Sequence, residues 1–319
     1  MKKFAGYSVI LTGAFATHAS ACDLCSVYSA AQAHGEVGEG IFAGLAEQFT
    51  HYGTVQDEES DVSNPAHQRM DSLISQALVG YNFNDRVGVQ FNVPIIYRSF
   101  RRATGHGTVD NGTVFGVGDA ALLGNLNLYS NEEKDFTFRA SLLGGVKFPT
   151  GDTDRLGEET AEHEPDPGAV ESVVHGHDLT LGSGSFDGIV GGSIYTRWNR
   201  AFVNAAVQYT LRTEGDFDYR FANDLTWSGG PGFFVLLKDQ CTLALQANIS
   251  GEHKGLDRHG SEREVDTGIT EVFLGPKAVF TWSDKLSAEL AAGFPVVRDN
   301  TGVQLLPNYR VHAGIVWHF

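Results

Sequence analysis

The stretch Tyr309–Phe319 reads Y-R-V-H-A-G-I-V-W-H-F, and the predicted fold rests on it. Every second residue is apolar, which is the period of a β-strand with one apolar face. Aromatic residues stand near both ends of the apolar stripe, as they do at the two interfaces of a membrane strand. The stretch ends on Phe319 and resembles the closing strand of an outer-membrane β-barrel. A half-buried strand of a soluble sheet is the alternative.

Within this stretch, Tyr309, Trp317 and Phe319 are interpreted as an assembly signal. Such terminal aromatic strands are the feature by which outer-membrane barrels are recognised and closed. We therefore expect the barrel assembly machinery and outer-membrane lipid to be partners of this chain.

Composition narrows the possible classes of protein. The net charge of -16 argues against a nucleic-acid partner, because phosphate binding needs a basic surface. No helical apolar stretch of membrane-spanning length follows the N-terminus, which excludes a helical membrane protein. The 38 glycines and only 3 cysteines suit short strands joined by turns and do not suit a disulfide-stapled scaffold.

The first 21 residues have the pattern of a signal peptide. Met1, Lys2 and Lys3 form a charged start, an apolar stretch follows, and Ala19-Ser20-Ala21 is a small-residue cleavage site. We expect the mature chain to begin near Cys22, in a bacterial envelope. Residues 22–40 would then be a periplasmic N-terminal segment and residues 41–319 the barrel.

The N-terminal segment contains a C-x-x-C motif at Cys22 and Cys25, with His34 shortly after it. One interpretation is a local disulfide or an unused pair of thiols. The other is a metal or redox site, because thiolate and imidazole bind soft and borderline metals. Apart from this candidate metal site, the sequence predicts no cofactor.

The body of the chain repeats one pattern. Apolar and polar residues alternate in segment after segment, most cleanly from Val87 to Tyr97. Twelve such segments can be counted. Short connections near Asn84, Asn131, Asn199, Asp239 and Asp284 alternate with six long ones, as periplasmic turns alternate with extracellular loops. The predicted fold is all-β: a transmembrane, antiparallel, up-and-down β-barrel of about 12 strands with both termini periplasmic.

Three motifs carry a family resemblance. They are Gly116-Val117-Gly118-Asp119, the run Gly145–Asp152 (G-V-K-F-P-T-G-D), and Leu181–Ser185 (L-G-S-G-S). From about Gly116 onward, the chain resembles the outer-membrane transporter family associated with the MetA pathway of phenol degradation. The resemblance implies a barrel that passes aromatic or other small molecules across the outer membrane. It implies no catalytic or ligand-binding residues.

Between the second and third motifs, residues Thr150–Asp178 hold nine carboxylates against the single cation Arg155. Such a block is typical of a solvated, self-repelling surface loop. Clustered carboxylates also suit hard cations such as calcium, although the spacing of a dedicated calcium loop is missing. His163, His175 and His177 add a candidate transition-metal site.

Charged residues on the polar face of the strands are candidates for lining the lumen, where isolated charges would be too costly and pairing is expected. They are Arg86, Arg98, Asp119, Arg139, Lys147, Asp187, Arg197, Arg212, Glu271, Glu289 and Arg310. Such pairs could surround a conducting pore or form an ion-pair plug that fills the barrel.

The polar face also bears on catalysis. No Ser or Thr stands beside a strand His with an acid partner, so the chain is not expected to be an enzyme. The favoured function is an outer-membrane channel or transporter for small solutes, including aromatic or hydrophobic ones. The alternatives are a structural or metal-responsive barrel that functions through its C-x-x-C, and an outer-membrane hydrolase.

Overall fold

The computed structural model describes residues 39–58, 60–161, 166–283 and 285–319. Twelve antiparallel strands pair in chain order, and the last pairs with the first to close a barrel. The strands are β1 (Gly40–Asp57), β2 (Arg69–Asn82), β3 (Val87–Ala103), β4 in two segments (Val109–Val117 and Ala121–Glu132), β5 (Phe136–Lys147), β6 (Asp187–Trp198), β7 (Ala201–Leu211), β8 (Asp224–Lys238), β9 (Cys241–Lys254), β10 (Ile269–Trp282), β11 (Leu286–Asn300) and β12 (Val303–His318). The predicted all-β, antiparallel, up-and-down barrel of 12 strands is confirmed.

Short elements fill the connections at one end of the barrel. They are 3₁₀ helices at Asp154–Ala161 and Asp216–Asp218, helix α1 (Gly176–Leu179), and two-residue strands at Ser60–Asp61, Tyr219–Arg220, Arg258–His259 and Glu262–Arg263. We call this end of the barrel the loop end and the opposite end the turn end. None of the helices in the described ranges has the length and apolarity needed to cross a membrane.

The alternating pattern sorts the side chains between the two faces of the barrel wall. Along β3, Val89, Phe91 and Ile95 point outward and are exposed, whereas Gln90 and Asn92 point inward and are buried. The other strands repeat this division, so the outside carries a belt of exposed apolar side chains. An apolar outside with a polar interior is the pattern of a barrel that stands in lipid.

The outward face of β1 departs from this pattern at two positions. Ser75 of β2 donates a hydrogen bond to Glu47 Oε2 at 2.7 Å, and His51 Nδ1 lies 2.6 Å from Asp71 Oδ1. Polar groups on a lipid-facing surface are costly unless they have a partner. Each of these two groups on β1 has its partner on the neighbouring strand.

The closing seam joins β1 to β12 over almost their full lengths, from Phe42 opposite His318 to Asp57 opposite Val303. Beyond the seam, the Phe319 amide donates to the Ile41 carbonyl at 2.9 Å. The Phe319 ring itself is 74% exposed, so it adds little packing to the folded barrel. Its expected role is therefore in assembly.

Deleting Phe319 is expected to lower the amount of assembled barrel in cells several-fold while leaving secretion intact. Because the ring is exposed, the stability of barrel refolded in detergent should change by less than about 1 kcal/mol. Heat-modifiable gel mobility of outer membranes measures the first quantity, and urea unfolding measures the second. Wild-type levels of assembled protein would contradict the assignment of the assembly signal.

The turn end agrees with the predicted connections, with one shift. The turn predicted at Asn131 lies three residues later, because β4 continues to Glu132. At the loop end, two of the predicted long connections are tight hairpins, at residues 104–108 and 301–302. The strands on either side extend past the apolar belt, where their outward residues no longer need to be apolar. Arg101 and Arg298 therefore lie within strands β3 and β11 rather than in the connections.

Strand β4 is interrupted between its two segments. Asn92 pairs with Ala121 and Ile95 with Val117, so residues 118–120 leave the ladder opposite Pro94. Proline has no N–H to donate to the ladder, which permits this break. The segment Val109–Val117 pairs with β3 from Ile95 to Ala103 and forms the loop-end half of β4.

The segment between β5 and β6 is not a solvated surface loop in its described part. Leu156, Val173, Val174 and Leu179 of this segment are fully or almost fully buried. We call residues 171–185 the strap, because they run from the loop end into the barrel interior. The acidic composition predicted the opposite, since the few apolar residues that anchor the segment are outnumbered by carboxylates.

Candidate functional site in the barrel interior

We call the half of the barrel nearest the loop end the loop half. A buried ion-pair network lies in its interior. Lys147 Nζ lies 2.5 Å from Asp119 Oδ2 and 2.8 Å from Asp187 Oδ2. Arg212 lies 3.0 Å from the same oxygen of Asp187 and 2.8 Å from Asp224 Oδ2. All five side chains are almost completely buried. Two cations therefore hold three carboxylates together, and each charge depends on its neighbours.

This network ties the strap to the wall. Asp119 Oδ2 accepts hydrogen bonds from the amide and the hydroxyl of Ser183, both at 2.9 Å, and Lys147 contacts the same hydroxyl. The Ser185 hydroxyl donates to Asp187 Oδ1 at 2.8 Å. The strap thus ends in the same cluster that crosses β4, β5 and β6.

Glycines allow the close approach of two segments beside Asp119. A Cβ added at Gly151 would lie 2.6 Å from the Leu181 carbonyl oxygen, and one at Gly182 would lie 2.7 Å from Asp119 Oδ1. Thr150 fastens the β4 break by accepting from the Ala120 amide and donating to the Gly118 carbonyl, both at 2.8 Å. The three motifs noted in the sequence therefore meet at one place.

The strap also packs on an apolar part of the interior. Val174 and Leu179 cluster with Tyr52, Met70 and Phe100, and Leu181 clusters with Ala46, Ile74 and Ile96. Its backbone is held from the wall, since Arg98 Nη1 donates to the Thr180 carbonyl at 2.6 Å. Apolar packing and polar anchors together fix the strap.

A buried histidine anchors the outer part of the strap. His177 Nδ1 lies 2.9 Å from Glu159 Oε1, and its Nε2 lies 3.5 Å from Asp178 Oδ1. The ring stacks between His175 and Tyr219, at centroid distances of 5.6 and 6.2 Å. Burial alone would lower the pKa of His177, but the charges of Asp178 and Glu159 outweigh it and raise this pKa to about 10. Burial likewise opposes the charged form of Glu159, yet His177 lowers the pKa of Glu159 to about 2.

These shifts predict how the strap responds to pH. The raised pKa of His177 means that its charged form stabilises attachment of the strap. This contribution is fully present below pH 6.5 and is lost as the pH rises toward 10. The lowered pKa of Glu159 gives a contribution that is present above pH 4.5 and is lost as the pH falls toward 2. Attachment should therefore be strongest between about pH 4.5 and 6.5.

Between pH 6 and pH 9 we expect the protection free energy of amides 171–182 to fall by on the order of 2 kcal/mol. Hydrogen exchange, corrected for the intrinsic pH dependence of amide exchange, measures it. The His177→Gln variant is the control and should show a flat profile. An equal slope in the variant would show that another group governs attachment.

Further charged groups lie deeper in the barrel. Arg310 Nη2 contacts Glu252 Oε1 at 2.9 Å, and its guanidinium stands over the Phe273 ring. Nearer the turn end, Lys277 and His312 lie 2.7 and 3.1 Å from the carboxylate of Glu289. Sequence reasoning missed Glu252, Asp224, Lys277 and Lys254. Lys277 shares the strand parity of Glu271, which is the signal that could have identified it.

A cavity of about 490 Å³ opens at the turn end, and we call it the chamber. Arg139 and Arg197 line it near the turns, and Asn204 and Gln246 lie deeper. Asn204, Gln208 and Thr210 of β7, and Arg212 directly after it, run from the chamber toward the loop end, and all four are almost fully buried. Among the described residues, these buried side chains occupy the interior beside β7 in the loop half.

The predicted lumen residues occupy three kinds of position. Buried in the interior are Arg98, Asp119, Lys147, Asp187, Arg212, Glu271, Glu289 and Arg310. Arg139 and Arg197 line the chamber, where Arg139 pairs with Glu132 at 2.5 Å. Arg86 does not line the lumen, because β3 begins one residue later and Arg86 is exposed in the turn.

The candidate metal sites have separate outcomes. Cys22, Cys25 and His34, and His163 of the acidic segment, lie outside the described residues. Within the described ranges, no group of three or more His, Cys, Asp or Glu side chains has a geometry that could hold a metal ion. His175 and His177 instead pair with carboxylates of the loop end.

No family model matches the sequence, and no curated protein matches it. Among solved structures, the chain is similar to the COG4313 outer membrane channel from Pseudomonas putida F1, with a TM-score of 0.62 and 15% identity over 89% of this chain and 97% of that one. The beta domain of the Bordetella autotransporter BrkA aligns with a TM-score of 0.44 and 11% identity over 87% and 99% of the two chains. The first similarity shows that the fold is that of an outer-membrane β-barrel.

Proposed function

We propose that this protein is an outer-membrane channel that passes small molecules through the barrel interior. The apolar belt supports placement in a bilayer, and the outer-membrane barrel fold supports the outer membrane as that bilayer. With Gly40 and Phe319 both at the turn end, the proposed orientation has that end in the periplasm. Short turns face the periplasm in barrels of this class.

The chamber is the observation that carries the proposal. It penetrates the barrel from the turn end and is large enough for a small organic solute. Beyond it, polar atoms that the described residues leave without partners include Gln76 Nε2, Asn92 Nδ2 and both amide atoms of Gln208. Buried amides of this kind can bond to water or to a polar group of a solute. A plug that served only to fill the barrel would gain from pairing them.

The proposed solutes include aromatic and hydrophobic molecules. The family resemblance implies them, and the ring cluster of Tyr195, Phe202 and Phe234 on the chamber wall supports them. Neighbouring centroids in this cluster are 5.8 and 5.2 Å apart. Tyr195 and Phe234 are half-buried, and their ring surface beside amide groups suits a solute with one apolar part and one polar part.

Single-channel recording of the full chain in planar bilayers tests the channel. We expect small, stepwise ion currents, because the strap and the buried network narrow the loop half. Asn204→Trp should at least halve the conductance, since Asn204 points into the chamber. The matched control is Val203→Trp, whose side chain points outward on the same strand and should leave the conductance unchanged.

Assembly of each variant is checked first by heat-modifiable gel mobility. Absence of any current from assembled wild-type barrel would overturn the proposed channel. Equal conductance of the two variants would show that the conducting path does not pass through the chamber.

A further inference from the structure

The inward face of β1–β3 carries apolar side chains where the strap crosses it. Tyr52, Met70, Ile74, Ile96 and Phe100 all point into the barrel and are less than 9% exposed. We call these five residues the apolar groove. The groove has two apolar parts, Tyr52 with Met70 and Phe100, and Ile74 with Ile96. A buried polar row of Thr50, Ser72 and Arg98 runs between them. Across the barrel, β6–β8 reach the loop half with Asp187, Arg212 and Asp224.

Three side chains of the strap cover the groove. Val174 and Leu179 lie in one apolar cluster with part of the groove, and Leu181 lies in another; both clusters contact Val114. Leu179 has no exposed surface. Contacts of this kind are non-directional, so another apolar molecule of similar volume could replace them at little cost. The directional bonds of the strap are made by its backbone and by polar side chains instead.

A small cavity of about 90 Å³ lies beside the strap. Tyr52, Met70 and Leu306 form part of its apolar wall, and Arg98 and Glu271 form part of its polar wall. A cavity of about 150 Å³ holds benzene in another protein, so this one is too small for such a solute as it stands. Moving the Leu179 side chain aside would supply the missing volume, because Leu179 packs on the same Tyr52 and Met70.

We propose that the apolar groove is a binding site for small apolar solutes, and that Val174, Leu179 and Leu181 occupy this site until a solute displaces them. The inference deepens the proposed channel function and rests on it. The strap then acts as an internal competitor for the groove. A solute that binds the groove only when the strap has moved shifts the population toward the open strap by mass action.

The test uses a cysteine on the strap as a reporter. In the full chain with Cys22, Cys25 and Cys241 replaced by serine, Val173→Cys places a thiol at a position that is 5% exposed. Its rate of labelling by a maleimide reports how often the strap leaves the groove. The control is Ile189→Cys, which is buried in a separate interior cluster with Leu123 and Leu143.

The probes are cyclohexane and 1,4-dioxane, which have similar size and different polarity. Cyclohexane should raise the labelling rate at position 173 at least fivefold, whereas dioxane at the same concentration should change it less than twofold. Neither probe should change labelling at position 189 more than twofold. No acceleration by cyclohexane, or equal acceleration at both positions, would overturn the proposal.

Leu179→Ala provides a second measurement that leaves the barrel ladder untouched. Because it removes part of the competing side chain, the cyclohexane concentration for half-maximal labelling should fall at least threefold. An unchanged concentration would also overturn the proposal. Conductance distinguishes the channel proposal from the groove proposal. Current without a cyclohexane response would support the channel and contradict the groove site. A cyclohexane response without current would support the groove as a binding site and contradict the channel.

Discussion

Replacing Lys147 with methionine is expected to lower the free energy of unfolding by about 3 to 5 kcal/mol. The change leaves Asp119 and Asp187 almost fully buried without the cation that lies between them. Methionine fills a similar volume, so the loss should come from the unpaired carboxylates rather than from a cavity. Urea unfolding of the refolded barrel, followed by tryptophan fluorescence, gives the free energy.

Arg139→Met is the matched control for this prediction. Arg139 also pairs with a carboxylate at 2.5 Å, but its partner Glu132 is 57% exposed at the turn end. Water screens such a pair, so its loss should cost less than about 1 kcal/mol. Equal losses for the two variants would mean that the interior network is solvated and is not the anchor described above.

Replacing Ile95 with arginine should destabilise the barrel by about 2 to 4 kcal/mol. Ile95 lies in the middle of β3, points outward and is exposed, so arginine would place a charge near the centre of the apolar belt. The measurement is the same unfolding experiment with the barrel in lipid vesicles, since detergent tolerates such charges more easily.

Two controls show whether position rather than mutation causes this loss. Ile95→Leu keeps the outward face apolar and should change stability by less than about 1 kcal/mol. Val109→Arg places the same charge at the loop end, outside the belt, and should cost about 0 to 1 kcal/mol. If Ile95→Arg behaves like Val109→Arg, then β3 does not face lipid at this height.

The sequence predicted the wall of the barrel better than its interior. Alternation along each strand is a local signal, and it gave twelve strands and their outward faces. The signal failed above the belt: Asp110 and Asn111 of β4 face water on both sides of the wall, and so they resembled a loop. Pairing partners such as Ile95 and Val117 are set by the stagger of the whole barrel, which no single strand encodes.

The charged interior residues could be named from strand parity, but their pairings could not. Lys147, Asp187 and Arg212 come from three strands and meet because of that same stagger. The strap was misjudged for a different reason. Burial of Leu179 depends on an apolar patch elsewhere in the chain, whereas local composition reports only the surrounding carboxylates.

Asp119, Lys147 and Ser183 lie far apart in the sequence, yet they form a single hydrogen-bonded unit. A change at one of them leaves a buried polar group without its partner, so we expect it to require a compensating change at another. In homologous barrels, loss of the lysine should coincide with loss of an acidic partner, while the chamber-lining positions vary independently. The three short motifs would then be inherited as one module, which marks shared architecture among these barrels and says little about what each of them transports.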